Sequence, residues 1–71
     1  MEKETRRSGA LQASALDALI RAGKPTRIIT NTGVQLHGIV ILEHDDEVIL
    51  FRDEGKVRMI YKHAVSTVDA V

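Results

Sequence analysis

Between Leu11 and Ala22 the apolar positions Leu11, Ala15, Leu16, Leu19 and Ile20 recur at helical spacing, while Gln12, Asp17 and Arg21 fall on other faces. This predicts one short amphipathic helix, stopped by Gly23 and kept from continuing by Pro25. Beyond Pro25 the helical period vanishes and short runs rich in Ile, Val and Thr follow, each bounded by turn residues. Five strands are predicted: Thr26 to Thr30, Val34 to about Glu43, Glu47 to Arg52, Lys56 to Lys62, and Val65 to about Asp69. Asn31-Thr32-Gly33, His44-Asp45-Asp46 and Asp53-Glu54-Gly55 read as turns, and His63-Ala64 as a corner. In the second run Val34, Leu36, Gly38, Val40 and Leu42 alternate onto one face, and Gly38 in its middle marks a sharp bend or bulge. The fold class is α+β and mostly β, an N-terminal helix followed by a strongly bent five-stranded antiparallel sheet or small open barrel. Residues 1–10 are polar and charged with nothing to bury, which predicts a disordered tail. Residues 11–69 form a single domain, with 70–71 as its C-terminal end.

Composition changes this picture in one respect. A chain of 71 residues buries only roughly 60% of the surface its unfolded form exposes. There is no cysteine to supply disulfides or a thiolate metal site, so association with further copies is the remaining common source of stability. The last two strands are apolar on at least one face, and exposed edges of that kind favour pairing with another copy.

Ten basic and ten acidic residues cancel, yet Lys3, Arg6, Arg7, Arg21, Lys24 and Arg27 crowd the first half while the second half is acidic. No run approaches the roughly 18 apolar residues of a membrane span, and the charged start carries no hydrophobic signal region, so a cytoplasmic protein without a membrane partner is expected. Nothing shows nucleophile spacing, a phosphate-cradling glycine loop or a metal motif, which predicts neither an enzyme nor a cofactor. The cluster His44-Asp45-Asp46-Glu47 reads as a solvated turn rather than a metal site.

The segment Tyr61-Lys62-His63-Ala64-Val65-Ser66-Thr67-Val68 closely resembles the second Sm motif of the Hfq family, bacterial Sm-like RNA-binding proteins with a Tyr-Lys-His-Ala core. Leu11-Gln12, Asp17-Ala18-Leu19, Pro25, Gly33-Val34-Gln35-Leu36-His37-Gly38 and Val48-Ile49-Leu50 match the family in order. The resemblance implies an Sm-like subunit closing into a ring, usually of six, through its fourth and fifth strands, with Tyr61, Val65 and Val68 at the subunit interface. It implies binding of single-stranded RNA, small regulatory RNA and mRNA, as an RNA chaperone or post-transcriptional regulator. On the pore face Lys62, His63 and Gln12 would contact uridine-rich RNA. On the opposite face Ile29, Gly33, Val34, Leu36, His37 and Thr67 would contact adenosine-rich RNA. The chemistry is coherent, because Lys offers phosphate a point charge while His and Gln offer base edges directed hydrogen bonds. Copies of one lysine around a pore concentrate positive charge despite a net charge of zero.

The chain departs from the family at three places. The acidic run Asp45-Asp46-Glu47 stands where an aromatic residue typically stacks on uracil, a contact worth about 1–3 kcal/mol per base. Ile29 stands where many members carry Tyr, and of the basic rim only Arg21 remains. The alternative reading is a diverged Sm-fold ring acting mainly as a structural or protein-interaction scaffold with weak RNA binding.

Overall fold

The computed structural model describes residues 13–71. The predicted tail, Leu11 and Gln12 lie outside the described residues. Helix α1 (Ala13–Ala22) turns its apolar stripe inward: Leu16 is buried, with Leu19 and Ile20 packed beside it. It ends where expected, at Gly23 with φ +61°, whose N–H donates to the Leu19 and Ile20 carbonyls at 3.2 Å.

Five strands follow: β1 (Thr26–Thr30), β2 (Gln35–His44), β3 (Val48–Asp53), β4 (Lys56–Tyr61) and β5 (Val65–Ala70), with a 3-10 turn over Lys62–Ala64 before the last. They form one antiparallel sheet in the order β4-β3-β2-β1-β5. The two strands that flank the 3-10 turn are therefore the two edges of the sheet. β2, the longest strand, is paired through its first half with β1 and through its second half with β3.

Two irregularities bend β2. Thr26 faces Ile39 and Ile28 faces Leu36, so His37 and Gly38 together oppose Arg27 alone, and Gly38 takes φ +67°. Further along, Ile41 faces Phe51 and Glu43 faces Leu50, which leaves Leu42 without a partner.

These bulges correct the expected alternation. Leu36 does face inward, but the extra residue at Gly38 inverts the phase. Ile39 and Ile41 are the buried residues, while Val40 and Leu42 are half-buried on the other face. The same effect draws His44, expected in a turn, into the end of β2 opposite the buried Ile49.

The core forms two connected clusters. Ile28, Ile39, Phe51 and Val65 make one, Leu16, Ile41 and Ile49 the other, and Ile60 and Val68 pack against both. The helix thus closes the open end of the bent sheet. Among the described residues no helix is long and apolar enough to cross a membrane.

Candidate nucleic-acid interface

The 3-10 turn that carries Lys62 and His63 is pinned from two neighbouring loops. The Lys62 N–H donates to the Glu47 carbonyl at 2.7 Å, the Asn31 N–H donates to the Ala64 carbonyl at 2.9 Å, and Asn31 Nδ2 donates to the His63 carbonyl at 2.7 Å. Inside the turn the Val65 N–H returns to the Lys62 carbonyl. Satisfying the backbone groups of a sharp turn in this way holds its side chains in fixed directions. His63 is exposed and its ring stacks on Tyr61 with centroids 5.4 Å apart and 18° between planes. The aromatic face of Tyr61 is thereby used within the chain, although half the residue remains open.

The half-buried Lys62 reaches back toward the helix. Its Nζ donates to His44 Nδ1 at 3.2 Å, and His44 Nε2 donates to Asp17 Oδ1 at 2.9 Å. Asp45 closes the β2–β3 turn, its Oδ1 accepting from the Glu47 and Val48 N–H groups at 2.8 and 2.9 Å. Those two backbone bonds, helped by the charge of Lys62, hold the Asp45 carboxyl below its ordinary range. A shallow recess lined by Glu43, His44, Asp45, Val48 and Leu50 lies alongside.

On β1 and β5, Ile29 faces Thr67 on one side and Gln35 on the other, and directly opposed residues share a face of the sheet. His37 joins them, its Nε2 lying 2.9 Å from Gln35 Oε1. Arg27 and Asp69 form a register pair further along this face, joined at 2.7 Å. The Arg27 guanidinium holds the Asp69 carboxyl below its usual range, His37 adding a smaller pull, and Asp69 in turn raises Arg27.

Sequence-predicted site residues are thus partly gathered and partly separated. Lys62 and His63 are adjacent on one turn, whereas Gln12 lies outside the described residues. Ile29, His37 and Thr67 share a face. Leu36 points the other way, packed against the core beside Ile28, and Gly33 and Val34 belong to the β1–β2 turn, where the Val34 N–H donates to Thr30 Oγ1 at 3.1 Å. Tyr61 is exposed on edge strand β4 with Val57 and Met59. Val65 is 4% exposed within the chain's own core and Val68 is half-buried against it. Among the described residues β5 is an edge strand, so its outer backbone lacks a strand partner within the chain.

Four residues escaped the sequence reading. Gln35 was readable, since it alternates with His37 across the inward Leu36. Asn31 looked like an ordinary turn residue, and His44 and Asp17 meet only through the fold. Among the described residues no group of three or more His, Asp or Glu is placed to hold a metal ion.

Comparison with known proteins agrees with this geometry. The sequence profile of the family described as "Hfq protein" matches residues 11–71. The RNA-binding protein Hfq of Moorella thermoacetica is 40% identical over 60 residues, spanning 84% of this chain and 70% of that one. Its namesake from Exiguobacterium sibiricum is 37% identical over 57 residues, spanning 80% and 68%. A crystal structure of the pleiotropic translational regulator Hfq superposes with a TM-score of 0.74 at 33% identity, covering 80% of this chain and 93% of that one. With the family profile matching residues 11–71 and the fold shared at a TM-score of 0.74, the chain belongs to the Hfq family.

Proposed function

We propose that this protein binds single-stranded RNA as a ring of identical subunits, six being the family's usual number, and acts in the cytoplasm as an RNA chaperone or post-transcriptional regulator. One observation carries the reading: Lys62 and His63 stand on a turn pinned from two loops, between the two edge strands of the sheet. Pairing β4 of one subunit with β5 of the next removes both edges and repeats the turn around a common axis.

The repetition matters electrostatically. A single lysine beside Asp45 and Asp17 attracts a phosphate weakly, whereas several copies converging on one pore add their fields. His63, exposed and backed by Tyr61, offers a base edge a directed hydrogen bond, and Gln12 is assigned the same role. On the opposite face the row Gln35, Ile29, Thr67 with His37 offers aliphatic packing and amide or imidazole donors to an adenine. Relatives bearing the name RNA-binding protein favour this reading over a scaffold.

The test is binding of oligouridine and oligoadenosine by the purified protein across a salt series, with its mass determined in the same buffer. A ring whose affinity falls as salt rises, with a log-log slope of about −0.7 per phosphate neutralised, is expected. A lone subunit, or a ring that holds neither oligonucleotide at low salt, would overturn the reading.

A further inference from the structure

The contact between Lys62 and His44 has a defined direction. A carboxylate only accepts hydrogen bonds, so Asp17 Oδ1 at 2.9 Å places the proton of a neutral His44 on Nε2. Nδ1 is then a lone-pair acceptor, and it is this nitrogen that lies 3.2 Å from Lys62 Nζ. Lys62 donates to His44 and His44 donates to Asp17, with every donor matched to an acceptor.

Each member is delivered by a different element. The bulge at Leu42 turns His44 toward the helix, where its side chain is only 11% exposed. The burial of Leu16 seats α1 and with it Asp17. The 3-10 turn, tied to the Glu47 carbonyl, brings Lys62. The charged groups around the ring are Asp17 from α1, Lys62 from the turn after β4, and Asp45 beside it in the chain; from β3 it meets the apolar Ile49.

We propose that His44 is a positioning residue for Lys62: the neutral ring holds the ammonium in place with two N–H groups left for a phosphate, and the protonated ring releases it. This rests on the reading that Lys62 contacts RNA. A free lysine has four rotatable bonds to order on binding, and a tethered one has already lost that freedom. When His44 gains a second proton both nitrogens donate, Nδ1 can no longer accept from Nζ, and two like charges face each other.

The experiment measures oligouridine affinity of the assembled ring for wild type, Lys62→Ala, His44→Phe and the double variant, at pH values about two units above and below the ordinary imidazole value of about 6.5. The quantity read is the affinity ratio of each protein to its Lys62→Ala counterpart, in which charge gained by His37 and His63 cancels. At high pH that ratio is expected to be about fivefold larger in the wild type than in the His44→Phe variant, the ordering cost of one long side chain. At low pH the wild-type ratio falls to the His44→Phe value, which itself does not move.

Asp17→Ala, at an exposed position that cannot unfold the core, lowers the high-pH ratio, and Asp17→Asn, which keeps an acceptor for Nε2–H, restores it. Nitrogen chemical shifts of the His44 ring in the free protein should report the Nε2–H form. A Lys62 ratio indifferent to both His44 and pH overturns the positioning role and leaves Lys62 as an RNA contact. An Lys62→Ala variant that binds like wild type at both pH values removes the pore contact itself, and the positioning role with it.

Discussion

The two candidate RNA-binding faces are built in opposite ways. On the side that carries the 3-10 turn, Lys62, His44 and Asp17 form a chain of hydrogen bonds whose central ring is only 11% exposed, and the backbone beneath is tied to two other loops. On the opposite face, Arg27–Asp69 pairs across strands and His37–Gln35 along one strand of exposed sheet, where water and salt compete for every contact. Similar polar residue types therefore do different things. Where the ring is desolvated and its partners fixed, one substitution disturbs direction as well as charge. Where the pair is exposed, the aliphatic Ile29 and the backbone register matter more than the ion pair above them.

The sharpest way to break this contrast is Leu16→Ala. It empties a fully buried site between α1 and the Ile41–Ile49 cluster and should cost about 2–5 kcal/mol. Chemical denaturation measures that loss. In whatever ring still assembles, oligouridine binding should suffer more than oligoadenosine binding, because α1 carries Asp17 to the pore side, away from the Ile29–Thr67 row.

Next in size is Lys62→Ala, expected to weaken oligouridine about tenfold, as for one charge-assisted contact, and to leave oligoadenosine unchanged. Titrations with both oligonucleotides on one preparation check it, and equal losses would erase the distinction between the faces.

Asp45→Ala is smaller and depends on pH. The Asp45 carboxyl is held below its unfolded value, so its charged form adds stability that is fully present above the unfolded pKa and disappears as pH falls through the folded one. The gap in thermal midpoint between wild type and variant should therefore be open at neutral pH and close in acid.

Smallest is Arg27→Gln, which removes an exposed ion pair and should leave the thermal midpoint within measurement error at physiological salt. A clear drop would mean that this face is more rigid than its exposure suggests.

Much of this architecture was legible from local pattern. The helix, the five strands and their turns follow from the 3.6-residue and two-residue periods and from Gly23, Pro25, Gly33 and Gly55, with ends differing by a residue or two from those observed. That Lys62 and His63 share one turn was legible through the Tyr-Lys-His-Ala motif, and the edge position of the last two strands through their apolar faces.

The inward phase of β2 was not legible. A bulge is set by which partner residue each N–H meets, so the flip at Gly38 that buries Ile39 and Ile41 depends on β1, and the unpaired Leu42 depends on β3. From that second bulge follows the placement of His44 on the helix side of the sheet.

By itself, then, the sequence determined what each segment prefers to be, because backbone preference and side-chain period act over a few neighbours. Only the tertiary structure decided that Asp17, His44 and Lys62, separated by 27 and 18 positions, form one hydrogen-bonded chain. That outcome depends on closing the helix over a sheet bent twice, and no local rule encodes the sum of those bends.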